Sequence, residues 1–252
     1  MTGRIAQLSL AALRMAASAR YNDPAVVAQW LYQFGTLPRL PAMDRDFGLD
    51  DDPLAVLGMT ARSATRRLVE TRYEATTLPG WYSFALRPVE APIVARSKLY
   101  VSPSPEALAD AFPLIAQVFL RFEVPSFKIG RGIEGLLRSD KIVAYSDAPG
   151  RLQEVAATLY RELRGCPPQG VPFTAECGCG ALLSTGVDPP VAKPAVSWRS
   201  WVTNRLAASL ARHSDISREE AVAAALAEIR LDGVDPEHWR PADDPIGNAG
   251  PQ

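Results

Sequence analysis

Three short runs decide the fold: KLYVS at 98–102, SFKIG at 126–130 and KIVAY at 141–145. Each joins β-branched and aromatic side chains and is bounded by serine, proline, glycine or aspartate, the pattern of a strand. Between the first two, Ser104 and Pro105 open a helix. In it Leu108, Ala111, Ile115, Val118, Phe119 and Phe122 recur at helical spacing, with a kink expected at Pro113. After the third run, Leu152, Val155, Ala156, Leu159 and Leu163 line a second amphipathic helix, which Gly165 ends. Short strands follow at Pro172–Ala175 and Ala181–Ser184. The order predicts an α+β fold with a small, mostly antiparallel sheet and flanking helices.

Outward from this centre the pattern becomes helical. Ile5, Leu8, Ala12 and Met15 share one helix face. A second helix has Asp23 as its N-cap and Pro24 in its first turn, carries Val27, Trp30, Leu31 and Phe34 on one face, and stops at Gly35. A third is expected over Ala61–Tyr73, and a strand over Trp81–Val89, where Trp81, Ser83 and Ala85 alternate with Tyr82 and Phe84. At the other end a helix carries Trp198, Val202, Leu206 and Leu210, and another opens with a capping box from Ser217 to Glu220. The division expected is a helical N-terminal region over 1–90, an α+β core with its closing helical pair over 91–232, and a flexible tail over 233–252.

The composition excludes several classes. With 27 Lys and Arg against 28 Asp and Glu, the net charge of -1 disfavours binding to nucleic acid through phosphates. No run reaches the ~18 apolar residues of a membrane span. Arg14 breaks the one apolar stretch that resembles a secretory signal. Three cysteines, Cys166, Cys177 and Cys179, point to free thiols in a reducing, cytoplasmic setting. Cys177 and Cys179 lack the two further soft ligands that a zinc site needs, so no metal and no cofactor are expected. The acidic run Asp50-Asp51-Asp52 reads as a solvated loop, with a cation site as the second reading. There is no G-x-S-x-G, P-loop or H-E-x-x-H. Gly130, Gly132 and Gly135 spell G-x-G-x-x-G, but a strand follows with no room for a crossover helix, so the segment reads as a flexible loop.

What remains is a set of cations around one predicted sheet. Lys98 begins the first strand with Tyr100 two residues on, on the same face. Lys128 lies between Phe127 and Ile129, Arg131 and Arg138 flank the glycine segment, Lys141 begins the third strand, and Arg199 opens a helix within SWRSW. Together they read as an anion pocket, in which arginine supplies bidentate forks to phosphate. Singly, each also reads as a strand-end cation facing solvent. Lys128 is the exception, since an ammonium among apolar neighbours either reaches out to water or has a lowered pKa and a task.

From Lys98 to Trp201, about two fifths of the chain, the sequence resembles two related groups. The residues that carry this are KLYVSPSPE from 98, VPSFKIG from 124, LLRSDKIVAY from 136, GVPFT from 170, GVDPP from 186 and SWRSW from 197. One group is the phosphothreonine lyases of bacterial type III effectors together with the lyase domains of lanthipeptide synthetases, where a K-x-H strand precedes an F-K strand. The other is the HopA-type effector family, also found as stand-alone lyases in lanthipeptide and thioamide-peptide gene clusters, where R-x-D-x-x-V-x-Y and P-F-T strands recur. The resemblance implies Lys128 as the general base and Lys98, Arg138 and Arg199 as phosphate ligands. Tyr100 stands where the lyases have the histidine that protonates the departing phosphate. Arg131 and Lys141 extend the anion-binding set on the reading of the residues. The implied function is a metal-free lyase that removes phosphate from phosphoserine or phosphothreonine in a ribosomally made precursor peptide, with a separate kinase and a cyclase as partners. The alternatives are a non-catalytic module that binds a peptide or partner, and an effector-like lyase acting on a phosphorylated host protein.

Overall fold

The structure, a computed structural model, describes residues 3–19, 21–41, 53–88, 96–178, 180–189 and 196–242. In chain order the elements are α1 (Arg4–Ala19), α2 (Pro24–Gln33), a single turn at Pro53–Val56, α3 (Ala64–Arg72), β1 (Tyr73–Leu78), β2 (Trp81–Leu86) and β3 (Ser97–Val101). A 3-10 turn at Pro105–Ala107 leads into α4 (Leu108–Arg121), then β4 (Ser126–Gly130), α5 (Gly132–Leu136), β5 (Ile142–Ser146) and α6 (Pro149–Glu162). Last come β6 (Ala175–Glu176), β7 (Leu183–Val187), α7 (Trp198–Arg212), α8 (Arg218–Leu231), β8 (Val234–Asp235) and β9 (Arg240–Pro241). The α+β class and the three central strands are as the sequence predicts.

The chain divides into two compact units, Thr36–Gln169 and the remainder, Met1–Gly35 with Gly170–Gln252. The boundaries drawn from sequence fall instead at residues 90 and 232. In the unit of Thr36–Gln169 the strands form an antiparallel sheet in the order β1-β2-β4-β5-β3. One face is apolar. Phe84, Leu99, Val101, Phe127, Ile129, Ile142 and Ala144 are all buried on it. Phe127 stacks on Phe84 at 4.7 Å between ring centres, meets Tyr73 edge-on at 5.0 Å, and touches Phe119 of α4 at 5.1 Å. These aromatic contacts fix helix to sheet beyond what area alone provides. The side chains that alternate with this set point to the other face.

In the second unit, α1, α2, α7 and α8 enclose a core of Ala12, Leu13, Leu31, Val202, Leu206 and Ala225. The Asp23 cap accepts a hydrogen bond from the Ala25 amide at 2.8 Å, and the expected capping box at Ser217 and Glu220 is present. The short strands β6 and β7 pair antiparallel.

Three local expectations are corrected. Tyr73 does not end the third helix; it begins β1, which pairs with β2 through a turn at Pro79-Gly80, where Gly80 takes φ +75°. Only glycine adopts that angle at little cost. Two extended runs around Pro-Gly are a hairpin pattern that helix-like neighbours obscured. The tail expected from 233 is instead a β8–β9 hairpin up to residue 242, anchored by Trp239, whose buried ring meets Phe173 edge-on at 5.0 Å. A single large aromatic side chain holds a segment that otherwise has no periodicity. The glycine segment is a helical turn, α5, and not a flexible loop. Asp50-Asp51-Asp52 and Cys179 lie outside the described residues.

Candidate active site

The polar face of the sheet is laid out by strand register. Residues paired across antiparallel strands share a face. One row runs Thr76, Ser83, Lys128, Val143, Tyr100 across β1, β2, β4, β5 and β3. The next row runs Glu74, Ala85, Ser126, Tyr145, Lys98. Lys98, Tyr100 and Lys128 therefore stand on one face, opposite the apolar core. Lys98 is only 7% exposed and Tyr100 4%, while Lys128 is half-buried.

Two aromatic side chains organise these cations. The Lys128 ammonium lies 4.0 Å from the centre of the Trp81 ring and 5.6 Å from that of Tyr145. The Lys98 ammonium is 5.7 Å from the Tyr145 ring. The Arg138 guanidinium stacks on the same Trp81, with Cζ at 4.7 Å from the ring centre. An aromatic face attracts a cation, so each ring offsets part of the repulsion among the three charges.

Arg138 reaches this place because of the glycine segment. Gly130 ends β4 on the polar face, and a Cβ built there would come within 2.1 Å of the Gly135 carbonyl oxygen. The turn of α5 thus packs backbone against backbone on the strand end, which only glycine permits. The chain then emerges at Leu137-Arg138 beside Trp81, the cross-strand partner of Gly130. Asp140, almost buried, fixes the guanidinium by accepting from Nε at 2.8 Å and from NH2 at 3.0 Å. This is the bidentate fork that carboxylate and guanidinium prefer.

The other predicted cations are placed differently. Arg131 sits over Tyr82 at 5.7 Å, and Tyr82 belongs to the opposite face of β2 from Trp81. Its exposed guanidinium does not join the cluster, because the strand's alternation carries it away. Lys141 has the parity of the polar face but is fully buried. Its amine donates to the Pro103 carbonyl at 2.8 Å and to Gln169 Oε1. Burial lowers its pKa to about 7, against the pull of Asp140 and Glu106. Lys141 thereby acts as a tie between segments at the foot of the sheet. Arg199 belongs to the other unit, buried, where Nε donates to Pro172 O at 3.2 Å, NH2 donates to Tyr32 O at 2.7 Å, and the guanidinium lies over the Tyr32 ring. These carbonyl contacts use arginine donors to brace α2 and α7. Both histidines lie in that unit against carboxylates, His213 on Glu228 and His238 on Asp235.

Sequence reasoning gave no role at the site to Trp81, Tyr145 or Asp140, although the last two are the tyrosine and aspartate of R-x-D-x-x-V-x-Y. A signal for the first two existed: Trp81 and Tyr145 alternate with core residues on their strands, and Tyr145 lies in the run that Lys141 begins. The chain has four lysines, Lys98, Lys128, Lys141 and Lys193, and three of them fall on or beside these strands. Among the described residues no group of three or more His, Cys, Asp or Glu side chains is placed to hold a metal ion, and no helix is long and apolar enough to cross a membrane.

No family model and no curated protein matches the sequence. Solved structures do resemble the fold. An effector protein from Pseudomonas syringae pv. tomato strain DC3000 aligns over 94% of this chain and 98% of its own, with a TM-score of 0.51 at 10% identity. An effector protein from Pseudomonas syringae pv. syringae strain 61 aligns over 93% and 97%, with a TM-score of 0.48 at 15% identity. The type III effector and phosphothreonine lyase OspF from Shigella flexneri aligns over 51% of this chain and 80% of its own, with a TM-score of 0.39 at 11% identity. The first of these establishes that the chain shares the fold of that effector over nearly the whole length of both.

Proposed function

We propose that this protein is a lyase that eliminates phosphate from phosphoserine or phosphothreonine in a peptide, leaving dehydroalanine or dehydrobutyrine. The observation that carries the reading is the common face of Lys98, Tyr100 and Lys128, with Arg138 held beside them on Trp81. β-Elimination needs a base at the Cα–H bond and positive charge around the departing phosphate. Lys128, as the free amine, takes the Cα proton. The electron pair left on Cα forms the Cα=Cβ bond, the Cβ–O bond breaks, and phosphate departs onto Lys98 and Arg138. The Tyr100 hydroxyl gives a proton to the departing oxygen, and the proton gained by Lys128 then passes through solvent to the Tyr100 phenolate, resetting both. Every charge that the step requires comes from side chains, so the reaction proceeds without metal.

The substrate we infer is a ribosomally made precursor peptide, phosphorylated beforehand by a separate kinase and passed on to a cyclase. A phosphorylated host protein is the alternative substrate, and gene neighbours separate the two. A second reading is favoured by one feature. Tyr100 replaces the histidine of the lyases that the sequence resembles, and a phenol of ordinary pKa near ~10 is a weaker acid than imidazolium. On that reading the same cationic face binds a phosphorylated peptide without turning it over.

The test is mass spectrometry of a phosphorylated peptide incubated with the protein, with and without a chelator, and with Lys128→Met. The parent should release phosphate and form the dehydro residue with or without chelator. Lys128→Met keeps the length of the side chain and should slow the step by ~10²–10⁴-fold. An equally fast Lys128→Met variant refutes the mechanism. A parent that binds the peptide without eliminating phosphate selects the binding module.

A further inference from the structure

We propose that Trp81 is a positioning residue, one indole seating both the Lys128 ammonium and the Arg138 guanidinium and thereby setting the basicity of Lys128. The inference deepens the lyase reading and rests on it only for its catalytic consequence.

The argument begins with the two distances to one ring, 4.0 Å for Lys128 Nζ and 4.7 Å for Arg138 Cζ. Indole has the strongest cation affinity of the aromatic side chains. Trp81 is held for this purpose by the sheet. It lies across from Gly130, which has no side chain to occupy the space above the strand, so Lys128, two residues back, reaches the ring diagonally. The seat is half-buried, where cation–π attraction exceeds its value in open water.

Several groups act on the Lys128 amine. Lys98 and Tyr100 face it from β3, Tyr145 from β5, Ser83 and Trp81 from β2, and the Arg138–Asp140 pair from the segment after α5. The like charges of Lys98 and Arg138 favour the neutral amine, and Asp140 opposes Arg138. The Trp81 ring favours the ammonium. It restrains the repulsion that would otherwise drive the lysine neutral and swing it away. Removing the ring should therefore lower the pKa of Lys128 and loosen its position together. A side chain with a merely structural role would do neither selectively.

Because the chain has four lysines, ¹³Cε-lysine labelling gives a spectrum simple enough to titrate residue by residue, with Lys128→Met assigning its signal. Trp81→Leu should lower the Lys128 midpoint by roughly 0.5–1.5 pH units, from a cation–π strength of ~0.5–2 kcal/mol at 1.36 kcal/mol per unit. Trp81→Phe should fall between. Thermal denaturation by circular dichroism reports whether each variant keeps its fold. An unchanged Lys128 midpoint in both variants, with the fold intact, overturns the inference. If Trp81→Leu does not fold, Trp81→Phe decides alone by the same criterion. Elimination is then followed separately. If the parent eliminates phosphate, the acid limb of its pH–rate profile should move down with the Lys128 midpoint, and a limb that stays put overturns the link to basicity. A parent without lyase activity refutes the proposed function, while the titration still judges the seat.

Discussion

Placing a methyl group on Gly130 tests how the fold delivers Arg138. The Cβ of Gly130→Ala would lie 2.1 Å from Gly135 O, 2.4 Å from its carbonyl carbon and 2.8 Å from its Cα. All three are backbone atoms that cannot rotate away. Carbon contacts are comfortable at ~3.5–4.0 Å, so α5 and β4 must part by more than about 1 Å. Overpacking of this kind costs about 1–3 kcal/mol, and a rigid backbone contact belongs at the upper end. In a protein of this length that lowers Tm by roughly 6–12 °C, at ~2–4 °C per kcal/mol. The same displacement lifts Arg138 off Trp81, so capture of the phosphopeptide should fail before the fold does. Two other glycines are internal controls. Gly132 has φ +66° with open space at its Cβ, so Gly132→Ala should cost only the ~1–2 kcal/mol of left-handed strain. Gly150, in the first turn of α6 with nothing near its Cβ, should gain up to about 1 kcal/mol as alanine. The readouts are thermal denaturation by circular dichroism and the KM for the phosphopeptide. A Gly130→Ala variant as stable and as active as the parent would sink the argument that this backbone contact places Arg138.

Asp140→Asn should release one arm of the Arg138 fork; we expect a KM increase larger than any loss of kcat, and a stability loss of about 1–3 kcal/mol after allowance for the partial exposure of Arg138. Equal KM values for variant and parent would remove Asp140 from the site. Lys141 makes stability depend on pH: its folded pKa of about 7 lies below its ordinary 10.5, so the unfolded chain binds the extra proton between those values. Stability should therefore rise as pH climbs above 7. Above about 9 the rise levels off and above about 10 it reverses, since burial raises the Cys177 thiol to about 11 and also raises Tyr73, and both ionise first in the unfolded chain. Lys141→Met should flatten the rise between pH 7 and 9 in denaturant titrations, and an unchanged slope would show that another group causes it.

Much of this was legible in the sequence because the central strands alternate strictly. Phe127 and Ile129 on either side of Lys128 declare which face is core and which is not, and the same parity puts Lys98 and Tyr100 together within β3. Pairing lies beyond local pattern. Whether Lys98 and Lys128 share a face depends on the register of β3 and β4 against β5, which a one-residue slip would reverse. The G-x-G-x-x-G letters likewise concealed a packing role, because a close backbone approach leaves no periodic trace. Arg199 and Lys141 show the converse limit. Arginine and lysine in apolar surroundings suggest an anion site, yet here both satisfy backbone carbonyls, a task the sequence does not distinguish from ligand binding. Arg131 fails for a simpler reason: it has the parity of Phe127 and Ile129 and so falls on the face opposite Lys128. The hairpin β8–β9 was missed because its order comes from one buried tryptophan and not from a pattern.

A chain with a net charge of -1 can still build a strongly cationic site, and the strands explain how. Two like charges about 8 Å apart repel by about 2 kcal/mol at an effective dielectric constant of 20. Three such pairs would scatter flexible side chains on a surface loop. On this sheet the register forbids scattering, since Lys98 and Lys128 leave from fixed points on β3 and β4. Tyr145 sits between them, Trp81 receives Lys128 and Arg138, and Asp140 brings a countercharge to Arg138. Each device lowers the repulsion. The remaining repulsion favours whichever ligand brings two negative charges, so a phosphorylated side chain gains more from this face than a carboxylate does. If the face binds phosphate as proposed, a phosphorylated peptide should therefore bind more tightly than the same peptide with aspartate or glutamate in its place.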